Sequence, residues 1–192
     1  MNVEPPPDDA ATIERTLAGE AEAFGELVSR YHRVVFALAY RMTGTRAEAE
    51  DLCQDVFLRV YRNLERFDRR WPFGPWVRKI ACNAALNHLR HRGVERGLIG
   101  ATRDDQGETA AAAAPDPGAD PEENAARAQT ADRLGRALAT LPANQRLAFT
   151  LKYVEELTAN EIAEAMDAPK NTVKTWLLRA REALRKELAN DL

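Results

Sequence analysis

Between Ala168 and Lys186 the chain carries six cationic side chains, Lys170, Lys174, Arg179, Arg181, Arg185 and Lys186, against one acid, Glu182. At about 100° per residue, Lys170, Lys174, Arg181 and Arg185 fall on one side of a helix, with Asn171 and Thr175 a step further round. Cations so spaced neutralise phosphates along a DNA backbone, and short polar side chains beside them reach base edges. This is recognition chemistry, not catalysis. A solvated basic face on an ordinary amphipathic helix is the competing reading of this segment taken alone.

The elements that position these side chains are legible around them. Val173, Leu177, Ala180, Leu184 and Leu188 form an apolar stripe that turns the basic side outward. Upstream, Thr158 followed three residues later by Glu161 is a capping box, which opens a short helix. Met166-Asp167-Ala168-Pro169 ends it, since Asp tolerates a left-handed turn position and Pro suits only a first turn. Two helices joined so tightly cross steeply, as in a helix-turn-helix. From Asn144 to Asp167 there are two bases and five acids, so a net negative segment abuts the net positive one.

The net charge of −3 hides segregation along the 192 residues. Met1–Ala23 and Ile99–Ala131 are each net −5, Phe24–Leu98 is net +6 and Asp132–Leu192 is net +1. Basic, ordered-looking stretches thus alternate with acidic, Pro-containing ones, which keeps a nucleic-acid partner open. The start, MNVEPPPDD, lacks the pattern of a signal peptide, and the apolar run Val34–Tyr40 is too short to span a bilayer. Cys53 and Cys82 sit within helical patterns as buried thiols. A cytoplasmic protein without membrane insertion is expected.

Helical periodicity predicts elements over Ala10–Ala18, Ala21–Met42, Thr45–Phe67, Trp76–Arg92, Asp120–Thr140 and Pro142–Glu156, ahead of the helix-turn-helix. Thr45 with Glu48 is a second capping box. The stretch Asp68–Pro75, with two prolines and a glycine, is read as irregular. No alternating run signals a strand. The expected fold is all-α: two small helical domains, 10–95 and 120–192, joined by a flexible acidic Ala/Pro linker at 96–119 and preceded by a flexible N-terminus at 1–9.

The order of motifs resembles the extracytoplasmic-function group of the sigma-70 family of RNA polymerase sigma factors. Ala49-Glu50-Asp51-Leu52-Cys53-Gln54-Asp55-Val56-Phe57 is similar to that family's polymerase-docking helix, and Trp76-Val77-Arg78-Lys79-Ile80-Ala81-Cys82-Asn83 to its −10-reading helix. Leu141-Pro142-Ala143-Asn144-Gln145-Arg146, Glu161-Ile162-Ala163-Glu164, Thr172-Val173-Lys174 and Arg179-Ala180-Arg181 resemble region 4. The first domain then corresponds to a region 2 helical bundle and the second to a region 4 helix-turn-helix.

The resemblance implies roles for each set. Glu50, Asp51, Gln54 and Asp55 would dock on clamp helices of the largest subunit of core RNA polymerase, with region 4 near the flap of the second-largest subunit. Arg69, Arg70, Trp71, Phe73, Trp76, Arg78, Lys79, Asn83, Asn87 and Arg90 would hold the −10 element of promoter DNA. Lys170, Asn171, Thr172, Lys174, Thr175, Leu178, Arg179 and Arg181 would read the −35 element. An anti-sigma factor is the implied regulatory partner, and no catalytic residue, metal or cofactor is implied. Asp167 stands where the family commonly has glycine, Asn171 where it has a small residue, Trp176 where it often has arginine and Leu178 where it has a polar residue. Losing that arginine removes a bidentate guanine reader, so the family's −35 sequence is not carried over.

Two rivals come from other classes. An enzyme would need a site such as Cys82, His88 and His91, but Cys82 lies about 120° round the helix from His88. A helix-turn-helix regulator acting without polymerase would need a receiver or ligand-binding domain, and the first domain carries no strand signal for one.

Overall fold

The computed structural model describes residues 9–98, 130 and 133–190. Residues 1–8 of the expected N-terminal lead-in (1–9), most of the linker and the first part of the helix expected from Asp120 lie outside them. Every regular element among the described residues is helical: α1 (Asp9–Leu17), α2 (Ala21–Thr43), α3 (Arg46–Asn63), a 3-10 turn (Leu64–Arg66), α4 (Phe73–Leu98), α5 (133–139), α6 (Ala143–Tyr153), α7 (Ala159–Ala165) and α8 (Lys170–Asn190). None of the described helices is long and apolar enough to cross a membrane.

Local chemistry explains most boundaries. Gly44, at φ 87°, closes α2 by donating its N–H to the Tyr40 carbonyl at 2.8 Å. The Thr45 hydroxyl accepts from the Glu48 N–H at 3.3 Å and opens α3. At α7 the capping box is complete, with the Glu161 N–H on Thr158 Oγ1 at 3.3 Å and the Thr158 N–H on Glu161 Oε2 at 2.7 Å. Asp167 takes the left-handed turn position at φ 49°, and the Ala168 N–H reaches back to the Ala163 carbonyl at 2.9 Å.

Three boundaries differ from the periodicity in ways that matter here. Helix α4 runs on past the expected end at Arg92 to Leu98, taking in the first residues of the expected linker, because a lone glycine such as Gly93 weakens a helix without having to end it. Phe73, Gly74 and Pro75 belong to α4 rather than to the irregular stretch. First-turn N–H groups have no helical partner, so proline there removes nothing, and its fixed φ suits the turn. Asp9, expected in the loose lead-in, is instead the first residue of α1 and only 6% exposed.

Helix α4 is the centre of the molecule. It packs against α2 and α3 on one side and against α6 and α7 on another. A run of small buried residues, Ala81, Cys82, Ala84 and Ala85, lets helices approach from both directions. The main core therefore runs continuously from Ile13, Leu27 and Val56 through Val77 to Leu147, Leu151, Ile162 and Val173. The two expected domains are not held apart here; they share this core. A second, smaller cluster of Ala137, Leu138, Leu141, Ala180 and Leu184 fastens α5 to α8.

Candidate nucleic-acid interface

The exposed side of α4 is built by its period. Trp76, Lys79, Asn83, Asn87 and Arg90 follow at steps of three or four, which places them in one stripe. Asn83, Asn87 and Arg90 are exposed, whereas Trp76 and Lys79 are half-buried. Arg90 donates to Asn87 Oδ1 at 3.4 Å. Arg78 departs from the stripe. It is half-buried and lines a small cleft with Tyr31, Leu151 and Glu155, on the side of α4 that meets α6.

Across from the stripe, α3 and the 3-10 turn supply Arg59, Asn63 and Arg66, which line one groove with Trp76, Lys79, Ile80 and Asn83. Three cations, two amides and an indole edge converge there. Cations hold phosphates, amides offer paired donors and acceptors, and aromatic faces stack bases. Sequence reasoning missed Arg59, Asn63 and Arg66. Their 4- and 3-residue spacing places them on one side of the α3 end, but nothing in that spacing says which helix lies opposite.

The loop before α4 divides into surface and core. Trp71 is 67% exposed and stands free as an aromatic platform. Phe73, expected beside it as a nucleic-acid contact, is 3% exposed and cannot stack on a base. Its ring packs against Tyr31, Phe67 and Trp76 at centroid distances of 5.4, 5.3 and 5.5 Å, so its work is to support Trp76. Both loop arginines are engaged. Arg69 Nη1 donates to Glu14 Oε1 at 2.9 Å, and Arg70 folds back on Asp68 with Nε–Oδ1 at 2.9 Å and Nη2–Oδ2 at 2.6 Å. The Arg70 guanidinium, then its backbone N–H, holds the Asp68 carboxyl below its usual range.

On α3, Glu50, Asp51 and Gln54 are exposed and Asp55 is half-exposed, all on the side away from the core. Arg46 pairs with Glu50 at 2.7 Å and Arg59 with Asp55 at 2.8 Å, each one turn apart. Such solvated pairs hold about 1 kcal/mol or less, so a partner's charges can replace them.

On α8, Lys170, Asn171, Lys174, Thr175, Leu178, Arg179 and Arg181 are exposed and Thr172 is half-buried. Val173 and Ala180, on the opposite side, are fully buried. Thr175 Oγ1 donates to the Asn171 carbonyl at 2.9 Å. Trp176 packs against the main core, while Leu178, at 48% exposure, sits among the polar positions. His88 and His91 share no metal-binding group, and among the described residues there is none.

The comparisons with known proteins agree with this geometry. Sigma-70 region 2 matches residues 27–94, and sigma-70 region 4 matches residues 131–184. The ECF RNA polymerase sigma factor SigW of Bacillus subtilis is 33% identical, the match covering 92% of this chain and 94% of that protein. The RNA polymerase sigma-H factor of Pseudomonas aeruginosa is 33% identical over 94% of this chain and 93% of its own. The ECF RNA polymerase sigma-E factor of Escherichia coli K12 is 30% identical over 92% of each. In fold, the chain is similar to the sigma factor RpoE of Bartonella quintana, solved in complex with the anti-sigma factor NepR, at a TM-score of 0.66, 22% identity and coverage of 90% of this chain and all of that one. CnrH, solved in complex with the cytosolic domain of CnrY, gives a TM-score of 0.63 at 24% identity, covering 96% of this chain and 99% of that one. With both regions matched in order and relatives aligned over nearly their full length, this chain belongs to the ECF group of the sigma-70 family and is an RNA polymerase sigma factor.

Proposed function

We propose that promoter recognition by this sigma factor is divided among three surfaces. The exposed side of α3, with Glu50, Asp51, Gln54 and Asp55, docks on basic clamp helices of the largest polymerase subunit. Opposite-sign surfaces set register and speed encounter more than they add affinity. The α8 surface, with Lys170, Asn171, Lys174, Thr175, Leu178, Arg179 and Arg181, enters −35 duplex, and region 4 contacts the flap of the second-largest subunit. Trp71, Trp76, Lys79, Asn83, Asn87 and Arg90, joined by Arg59, Asn63 and Arg66, hold the opened −10 strand. Residues 10–95 and 120–192 are the corresponding functional units, working in the cytoplasm.

The single observation behind this reading is the α3–α4 groove, where an indole edge lies among three cations and two amides. Extruding a base costs a few kcal/mol. A groove that binds only the opened strand therefore shifts the duplex toward opening, with no nucleotide hydrolysis and no catalytic group. Two promoter elements lie several helical turns apart, whereas the two units share a core. The chain must separate along the α4–α6 contact to reach both. An anti-sigma factor of the kind bound to RpoE would act by holding the units out of that extended arrangement.

Run-off transcription with purified core polymerase on genomic promoter fragments tests this directly. Transcripts from discrete starts are expected only when the chain is added. Failure to form a stable complex with core polymerase would sink the proposal.

A further inference from the structure

Helix α1 lies outside the elements assigned above, yet it touches the loop before α4 directly at one place and the start of α4 indirectly, through α2, at another. Glu14 Oε1 accepts from Arg69 Nη1 at 2.9 Å, across 55 residues of sequence. At the start of α1, the Asp9 carboxylate receives the Arg30 guanidinium on Oδ1 and the Tyr31 hydroxyl on Oδ2, the latter at 2.5 Å. Tyr31 then passes the contact on. Its ring stands edge-on to Phe73 and lies so close to α4 that a Cβ at Gly74 would come within 3.3 Å of it. Phe73 in turn supports Trp76.

The two contacts differ in kind. In the Asp9–Arg30–Tyr31 group, Asp9 is buried while Arg30 and Tyr31 are half-buried, so its charged hydrogen bonds are sheltered and costly to lose. Burial, then the Asp9 carboxylate, keeps the Tyr31 hydroxyl protonated as a fixed donor. The Glu14–Arg69 pair is solvated, with the Arg69 side chain 48% and the Glu14 side chain 64% exposed, so a phosphate can take the place of Glu14.

We propose that α1 positions the loop at residues 68–72: Asp9 and Tyr31 set the pose of Phe73 and Trp76, and Glu14 occupies Arg69 until a DNA phosphate displaces it. The proposal rests on reading this loop as a −10 contact. It makes Tyr31 and Glu14 positioning residues with opposite effects. Removing the Tyr31 hydroxyl loosens the platform, whereas removing the Glu14 charge releases a cation toward DNA.

The test uses full-length chain bound to core polymerase, with fork DNA from a fragment that the wild type transcribes. Glu14→Gln is expected to bind the fork about fivefold tighter near 0.15 M salt with an unchanged salt slope, because Arg69 reaches the phosphate in both chains and only the wild type must first give up Glu14. Arg69→Ala should erase that gain in the double variant. Tyr31→Phe is expected to bind the fork several-fold more weakly at unchanged affinity for core polymerase. Unchanged fork affinity in Glu14→Gln, or a Tyr31→Phe loss matched by an equal loss of core affinity, overturns the proposal. Amide exchange of the free chain separates it from the −10 reading. Faster exchange at residues 69–74 in both variants, with α8 unaffected, supports positioning even if the wild type fails to initiate; unaltered exchange there refutes it.

Discussion

Arg146 Nη1, on α6, donates to the backbone carbonyl of Met42 near the end of α2 at 2.9 Å, joining residues 104 apart. The same guanidinium donates through Nη2 to the Ala139 carbonyl. One side chain thus binds the first unit to the second and braces the second internally. Arg146→Ala should cost about 1.5–3 kcal/mol, the range for hydrogen bonds made by charged groups. Small-angle scattering of the free chain should show a longer maximum dimension. Unchanged scattering together with unchanged stability would show that the apolar contact alone joins the units.

The cysteines offer a chemical probe of the same contact. Burial pushes the Cys53 thiol up to about 11 and the Cys82 thiol up to about 12, with the Glu155 charge of the second unit adding to the latter. At about pH 8, roughly one Cys82 in ten thousand is then a thiolate. Neither thiol should react with a disulfide reagent in the free folded chain, and both should react in denaturant. Binding core polymerase should selectively speed Cys82, which lies beside the α4–α6 contact. Equal rates in free and bound states would mean that the units stay packed.

Acid should weaken α7 through its cap. Glu161 is held below the ordinary glutamate range by the Thr158 hydroxyl first and the Thr158 N–H second. A depressed carboxylate stabilises the fold above its unfolded value and loses that contribution as pH falls through its folded value. Thr158→Ala should cost about 1 kcal/mol at neutral pH and flatten the decline on the acid side, measured by denaturant melts across pH. A variant with the wild-type acid limb would rule out the cap as its source.

Trp71 and Trp76 should separate cleanly by mutation. Trp71→Ala removes an exposed ring, so stability should stay within about 0.5 kcal/mol while −10 strand binding falls by about 1–3 kcal/mol. Trp76→Ala also strips packing from Phe67 and Phe73 and should lower both quantities. Parallel melting and strand-binding titrations decide between these outcomes.

On α8, Lys174→Ala or Arg181→Ala should weaken −35-dependent initiation and reduce its salt slope by about one. Slopes that match the wild type would leave the basic side merely solvated.

The helix-turn-helix was legible because its signals are local. The Thr158–Glu161 reciprocal cap and the left-handed Asp167 depend on residues three or four apart, and the α8 stripe on one helical period. The groove was not legible, since Arg59, Asn63 and Arg66 become partners of Trp76 only through helix packing. Phe73 and Asp9 illustrate the same limit. Aromatic and acidic residues in a Pro-rich or terminal stretch read as surface, and only the Tyr31 contact draws both inward. Arg78 shares the motif of Lys79, yet the neighbouring position on a helix points it to another face.

The small residues along α4 carry a thermodynamic consequence. Separating the units would wet Ala81, Cys82 and Ala85 together with the apolar residues of α6 and α7 that cover them, at about 25 cal/mol for each Å² of apolar surface exposed. The extended form is therefore a sticky intermediate unless another surface dries both halves. On the proposed function, polymerase and an anti-sigma factor would compete as alternative lids, and the exchange should carry the heat-capacity signature of apolar surface changing partners rather than that of charge pairing.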